Sequence, residues 1–270
     1  MNFKLIFAAA ALLATQSFAI AGIGGHYAPI AGTTLKKADR ESLKNTNGNL
    51  QFSHGDFSGL QGFGFKAWID ILPFVDVEAT FNIQFASYNA TLWARKNPVE
   101  TLTNPTAVLD EADYKRIPLE IELGGTPFAK ATPKYISMNA DLSVTKPFSI
   151  PLFPIRPYVG GGLTIHWNTF VLNKAFVEKV VADAYGETAI VEHLTDSDFG
   201  EKLARKVVDY AKDEGLTKSI GIHLLAGVRF KLPIIPIAAY ENVKCYLGCD
   251  YDSDIDAGNF AFEIGGGFAL

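Results

Sequence analysis

The sequence has few cysteines, no strong excess of one charge and, after its first twenty residues, no long apolar run. Its 270 residues include two cysteines, 24 basic and 29 acidic residues, and the net charge is −5. A net negative chain gives no reason to expect a nucleic-acid partner. No later run of about eighteen apolar residues predicts a transmembrane helix. Membrane insertion therefore requires a closed β-barrel, because only helices and barrels satisfy their backbone hydrogen bonds within lipid.

The two cysteines, Cys245 and Cys249, lie close together near the end of the chain. In an oxidising compartment this spacing predicts one disulfide across a loop. Two free thiols are the alternative. A metal site would need further ligands, and only carboxylates such as Asp250 and Asp252 are near. The sequence therefore predicts neither a metal nor a cofactor.

Residues 1–19 have the features of a secretory signal peptide. Lys4 supplies a positive charge, residues 5–14 form an apolar core too short to span a bilayer, and residues 17–19 include the small residues of a cleavage site. A single anchor helix is the alternative. We expect residues 20–270 to be exported and to form one domain, since no linker-like or low-complexity stretch divides them.

Large apolar residues alternate with small residues over the last eleven positions. Phe260, Phe262, Ile264, Phe268 and Leu270 take the even positions, while alanine, glycine and one glutamate take the odd positions. Successive residues of a strand point to opposite faces, so one face is apolar and the other is nearly bare. This pattern predicts the closing strand of a transmembrane β-barrel, with its aromatic residues towards lipid.

Similar alternation predicts seven further strands, in residues 20–30, 63–71, 75–85, 136–144, 159–167, 220–230 and 236–246. The last of these loses its phase, which predicts a bulge. Three short, proline-containing connections alternate strictly with four long ones, which cover residues 33–56, 92–134, 168–217 and 247–257. An even strand count with short periplasmic turns and long external loops is typical of bacterial outer-membrane barrels. We therefore predict an all-β fold, an eight-stranded antiparallel up-and-down barrel, with both termini on the periplasmic side.

The segment from Ile117 to Leu123 also alternates between apolar and other residues, so it is a candidate for a ninth strand. A ninth crossing would leave the C-terminus outside the cell, and Pro118 has no N–H group for a sheet ladder. We interpret the segment as a strand extension or small hairpin above the membrane.

Three segments carry a family resemblance: the glycine-rich strand of residues 158–165, the terminus of residues 261–270 and the signal peptide. Together they resemble the small outer-membrane barrels of the OmpX/OmpA type. The resemblance implies a location in the Gram-negative outer membrane, contact with outer-membrane lipid, and a C-terminal signal read by the barrel-assembly machinery. That signal comprises Phe262, Ile264, Phe268 and Leu270, although Leu270 replaces the commoner phenylalanine. The long third loop also departs from the smallest members of the family.

The inward face of the predicted barrel carries charges of both signs. An eight-stranded barrel is just filled by its own side chains, and unpaired charges there are costly. A salt-bridged plug is therefore predicted, and a polar path for protons or small ions is the alternative. The predicted network contains Lys66, Asp70, Asp76, Glu78, Asp141, Arg156, Arg229 and Glu263, with Lys231 also inward.

The third loop, residues 168–216, has helical periodicity in two segments. Residues 175–185 and a second segment after Ser197 or Asp198 place apolar residues at helical spacing, and Gly215 ends the second segment. We expect the two helices to pack on each other or over the barrel mouth. An extracellular partner bound by this loop is the alternative.

These features predict an envelope-structural or surface-interaction role without catalysis. The first alternative is a narrow, porin-like channel for small solutes or ions. The second is a lipid-modifying barrel enzyme, which would need a histidine beside a serine and a carboxylate. The inward histidines are His26, His166 and His223, and His166 is predicted to lie at the outer rim.

Overall fold

The structure is a computed structural model that describes residues 21–70, 74–97, 110–122, 130–148, 154–186, 193, 198–231 and 235–269. The predicted signal peptide (1–19), Leu123, parts of the three short turns and Leu270 lie outside the described residues.

Eight antiparallel strands close into a barrel, as the alternation predicts. Each strand pairs with its neighbour in the ring, and the first strand pairs with both the last strand and the second, so the sheet has no open edge. In chain order the barrel strands are β1 (Ala21–Tyr27), β5 (Phe57–Ile69), β6 (Asp76–Ser87), β11 (Lys134–Pro147), β12 (Ile155–Asn168), β13 (Thr217–Lys231), β14 (Ile237–Leu247) and β16 (Phe260–Ala269).

The outer surface of the barrel is an apolar belt. Phe63, Leu142, Leu163, Leu224 and Ile264 are each at least half exposed, and they belong to five different strands. A belt that encircles the molecule is far larger than the apolar patches of soluble proteins, and it matches the lipid-facing band of transmembrane barrels. Within the described ranges, no helix has the length and apolar character needed to cross a membrane.

A smaller structure, here called the cap, covers one end of the barrel. Its sheet has the strand order β3 (Ala38–Ser42), β4 (Leu50–His54), β7 (Ala90–Arg95) and β8 (Tyr114–Pro118). Two helices pack on each other and on this sheet: α1 (Lys174–Tyr185) and α2 (Phe199–Glu214). Both lie in the loop predicted to be helical, and Gly215, at φ 77°, ends α2 as expected.

Short elements join the barrel to the cap. β2 (Ile30–Leu35) continues beyond β1 after Pro29 and pairs with β5, β16 and β15 (Ile255–Asp256). β9 (Ile121–Glu122) pairs with β10 (Lys130–Ala131), and a 3₁₀ turn spans Glu111–Asp113. The segment from Ile117 is therefore divided between β8 and a small hairpin, and it is not a ninth barrel strand.

The bulge predicted in residues 236–246 is wrong. β14 pairs with β13 and β16 without a shift in register, and its even-numbered residues are buried throughout. Two charged side chains interrupt the apolar alternation, while the backbone stays regular. Glu241 is an exposed carboxylate on the outward face, and Lys244 is a buried cation on the inward face.

An apolar core runs from the barrel mouth into the cap. The inner face of the cap sheet faces α1 and α2, and the barrel mouth adds leucine and tyrosine side chains from below. Representative members are Leu60, Tyr135, Phe52, Leu92, Val180, Leu203 and Val207, each at most 1 % exposed. The long loops therefore fold together as one packed unit.

Candidate functional site: the barrel lumen and its cap

The structure brings all eight predicted lumen residues inside the barrel. Each forms at least one ion pair, and their side chains are at most 12 % exposed. Lys231, also predicted to point inward, lies at the end of β13 and forms no ion pair within the described part of the chain. The residues are Lys66, Asp70, Asp76, Glu78, Asp141, Arg156, Arg229 and Glu263.

Two arginines organise the lumen near the short-turn end. Arg229 places Nη1 3.0 Å from Asp70 Oδ1 and Nη2 2.5 Å from Glu78 Oε1. Arg156 places Nη1 3.0 Å from Asp70 Oδ2 and Nη2 3.3 Å from Asp76 Oδ1. Guanidinium groups suit this role because their planar donors reach two carboxylates at once. These contacts cross the lumen and join four strands.

Lys66 connects this cluster to the aromatic side chains above it. Its Nζ lies 2.5 Å from Glu78 Oε2 and donates to Tyr158 Oη at 3.0 Å. The same ammonium lies 4.9 Å from the ring centre of Tyr240, a distance suited to a cation–π contact. The Lys66 side chain has no exposed surface, so its charge is balanced within the lumen.

The middle of the lumen is organised by Lys244. Its Nζ lies 2.7 Å from Asp141 Oδ2 and 2.7 Å from Glu263 Oε1, and all three side chains are fully buried. The Glu263 carboxylate also accepts hydrogen bonds from Asn82 Nδ2 at 3.0 Å and Asn242 Nδ2 at 2.6 Å. A buried ion pair is tolerable only when further hydrogen bonds satisfy its remaining atoms, as they do here.

The network predicted from the sequence omitted Lys244, which lies at the centre of the lumen. Arg229 binds Glu78, but Asp141 and Glu263 pair with Lys244. The two-residue repeat of β14 could have identified Lys244, because every even-numbered residue from 238 to 246 is buried and points inward.

A serine, a histidine and a carboxylate meet across the lumen. Ser143 Oγ lies 2.8 Å from His223 Nε2, and Thr164 Oγ1 lies 2.8 Å from both His223 Nδ1 and Asp141 Oδ1. The set resembles a hydrolase triad in residue types. Thr164 stands between the histidine and the carboxylate, however, and Ser143 has no exposed surface. In this structure the set forms a polar bridge between strands.

His166 does not lie at an open rim, as the sequence suggested. Its side chain is fully buried, Nδ1 lies 2.7 Å from Asn139 Oδ1, and the ring of Tyr251 lies 4.7 Å away, centre to centre. The loop after β14 thus covers it. His26 is buried as well, with Nδ1 3.0 Å from Tyr240 Oη.

Hydrogen bonds hold the cap over the long-loop end of the lumen. Leu172 N donates to Tyr88 Oη at 2.9 Å, and Val171 N donates to Asp252 Oδ2 at 3.0 Å. Burial raises the pKa of Tyr88 well above its usual value, so the hydroxyl stays neutral. Asn173 begins α1 by accepting a hydrogen bond from Phe176 N at 2.8 Å. The chain that precedes α1 is thereby fixed to the barrel mouth.

The predicted disulfide is not present: Cys245 and Cys249 are free thiols in the structure. Cys245 takes an outward position on β14, whereas Cys249 follows the strand and packs on the inward side beside Gly221. The two side chains lie on opposite faces of the barrel wall, where a bond would require the backbone to move. Burial, then the Asp141 and Asp250 carboxylates, raise the pKa of Cys249 to about 11.

Most of the aromatic residues near the strand ends do not lie on the outer surface of the barrel. Tyr27 is exposed on the outside and Trp167 is partly exposed, while Trp93 belongs to the cap sheet. The others fill the interior: Trp68, Tyr88, Tyr135, Tyr158 and Tyr246 are at most 4 % exposed. Among the residues that the structure describes, no group of three or more histidine, cysteine or acidic side chains is arranged to hold a metal ion.

No protein-family model matches the chain, and no curated protein sequence matches it. Among solved structures, it is similar to the outer membrane protein OprG from Pseudomonas aeruginosa, with 10% identity, a TM-score of 0.43, and 94% of this chain and 97% of that chain covered. It is also similar to the N-terminal β-barrel domain of Pseudomonas aeruginosa OprF, with 9% identity, a TM-score of 0.39, and 94% and 99% covered. Neisserial surface protein A matches with 10% identity, a TM-score of 0.38, and 93% and 99% covered. The barrel assignment rests on the closed strand pairing and the apolar belt.

Proposed function

We propose that this chain is an exported Gram-negative outer-membrane β-barrel with an envelope-structural or surface-interaction role and no catalytic activity. The observation that carries the proposal is an apolar belt around a lumen that is crossed by paired charges and covered by the cap. The belt contacts outer-membrane lipid, β16 is the segment presented to the barrel-assembly machinery, and the cap is the surface offered to an extracellular partner.

The packing of the lumen favours this role over the alternative of a narrow channel. The interior of an eight-stranded barrel is about as wide as the side chains that fill it. An ion crossing here would have to separate Lys244 from Asp141 and Glu263, and Arg229 from Asp70, which would leave buried charges without their partners. Both sets of contacts span the bore.

Planar-bilayer recording tests the closed lumen. We expect the folded protein to give no discrete single-channel steps, because every charged residue of the predicted network forms an ion pair within the lumen. A purified open porin in the same bilayers shows that steps would be detected. Reproducible steps of one size that scale with protein concentration would contradict the proposal and favour the channel.

Lysine labelling on intact cells tests the orientation. Lys179 on α1 and Lys212 on α2 have side chains about half exposed, and Lys146 is exposed at the other end of β11. A membrane-impermeant amine reagent should modify Lys179 and Lys212 on intact cells, and Lys146 only after the outer membrane is permeabilised. The reverse pattern would mean that the cap faces the periplasm.

The geometry gives little support to a lipid-modifying enzyme. The Ser143, His223 and Asp141 side chains are at most 4 % exposed, so a substrate has no direct path to the serine hydroxyl. A general base must also reach the proton it removes in a plausible substrate pose. For that reason we place these residues among the lumen contacts and propose no reaction.

A further inference from the structure

One face of the cap sheet carries three arginines around two aromatic rings. The opposite face packs on the helices, so this face is directed away from them. Trp93 pairs across the strands with Arg116, and Tyr114 pairs with Arg95. Arg40, on β3, lies over both rings. The chain as a whole has a net charge of −5, so this local concentration of positive charge stands out.

The two carboxylates of β3 near this face form ion pairs with lysines. On β3, Glu41 pairs with Lys174 of α1 at 2.9 Å, and Asp39 pairs with Lys37 at 3.1 Å. Asp39 and Glu111 line the cleft that opens beside this face. The strand residues that share the face with Trp93 are neutral or basic, namely Gln51, Ser53, Thr91, Arg95, Tyr114 and Arg116.

The two rings are fixed in place. Trp93 Nε1 donates to Ser53 Oγ at 2.9 Å, and Tyr114 Oη donates to Gly48 O at 2.7 Å. The Arg40 guanidinium carbon lies 5.4 Å from the Trp93 ring centre and 5.0 Å from that of Tyr114, within the range of cation–π contacts. Side chains held in this way lose little conformational freedom when a ligand binds.

Arg116 has donors to offer. It is exposed and makes no ion pair within the described ranges. Arg95 shares this face through its pairing with Tyr114, but it does not line the cleft described below. Guanidinium groups bind phosphate oxygens through paired, charge-assisted hydrogen bonds.

A cleft of about 350 Å³ opens beside this face, between the cap sheet and the barrel rim. Arg40, Trp93 and Arg116 line it, with His54 and Asn89 towards the barrel. The volume suits a single sugar ring with its substituents. Asn89 follows the end of β6 by two residues, so the cleft lies roughly 7 Å beyond that strand at about 3.3 Å per residue. This is the level of lipid headgroups.

We propose that this arginine cleft binds the phosphorylated saccharide headgroup of an outer-leaflet lipid. The arginines receive the phosphate oxygens, while the Asn89, Ser53 and Thr91 side chains suit sugar hydroxyl groups. The lipid source of the headgroup rests on the outer-membrane location proposed above. The anion-binding chemistry of the cleft does not, because it follows from the side chains alone.

Native mass spectrometry of the full-length protein in phosphatidylcholine nanodiscs tests this inference. Lipid A, a phosphorylated glucosamine lipid, is titrated into the nanodiscs, and glucosamine 1-phosphate or glucosamine is titrated in solution. Arg116→Gln is compared with Lys115→Gln, a matched cation on the same strand that faces α2 and pairs with Glu201 at 2.8 Å. Heat-modifiable gel migration shows that each variant folds.

We expect Arg116→Gln to weaken lipid A binding about tenfold, which corresponds to about 1.4 kcal/mol. Lys115→Gln should leave it unchanged, and Glu111→Gln should strengthen it. Equal effects of the Arg116 and Lys115 variants would overturn the proposal. Binding of glucosamine 1-phosphate without lipid A would overturn the lipid as occupant. Failure of the outer-membrane proposal would appear separately, in the lysine labelling of cells.

Discussion

Replacing Lys244 by methionine is expected to cost the folded barrel about 3–5 kcal/mol, because the change leaves Asp141 and Glu263 buried without their shared cation. Methionine keeps the length and apolar stem of the side chain, so the loss reports on charge more than on packing. The measurement is guanidinium unfolding of the refolded protein in lipid vesicles, followed by tryptophan fluorescence and by gel migration.

A matched variant separates this effect from a general response to losing a lysine. Lys146 is exposed at the end of β11, and Lys146→Met should change the free energy of unfolding by less than about 0.5 kcal/mol. Adding Glu263→Gln to Lys244→Met should recover part of the loss, since one uncompensated charge is removed. Equal losses for the two lysine variants would refute the central role of Lys244.

The barrel was predictable because its side chains repeat every second residue over long segments. Each barrel strand keeps one apolar face on the outside of the barrel, so a shift of one residue would turn its polar face outward. Pro118 argued correctly against a ninth crossing. The inward charges followed from the same phase, which is why all eight predicted lumen residues lie inside the barrel.

Lys244 was missed because a charge also lies on the other face of its strand. Glu241 is exposed on the outward side of β14, between neighbours such as Val228 and Ile264. An acidic residue on the apolar face makes the alternation look broken, and the sequence analysis attributed the break to a bulge. The backbone is regular, and the two charges simply occupy opposite faces.

The cap sheet was not predictable, because its partners come from separate loops. β3 and β4 lie in the first long loop, β7 and β8 in the second, and β4 pairs with β7 across this division. Short strands with non-local partners leave little periodic signal. Ala261 shows the consequence: it lies near the long-loop end of β16, and it is fully buried beneath the cap.

Placing an arginine at Leu224 should destabilise the barrel by about 2–4 kcal/mol when it is folded in lipid vesicles. Leu224 lies midway along β13, is 58% exposed, and points outward between Gly161 and Cys245. A guanidinium there must leave water for the hydrocarbon or bend towards an interface. The expected loss therefore depends on the surrounding lipid and not on contacts within the protein.

Two comparisons make this dependence visible. Thr217→Arg changes the exposed external end of the same strand, where the cost should be no more than about 1 kcal/mol. In mild detergent, which adapts its shape and admits water, the difference between the variants should shrink. If Leu224→Arg and Thr217→Arg unfold alike in vesicles, the outward face of β13 does not contact the bilayer core. In that case the exposed leucines, isoleucines and phenylalanines of the belt would need a protein partner instead of lipid to cover them.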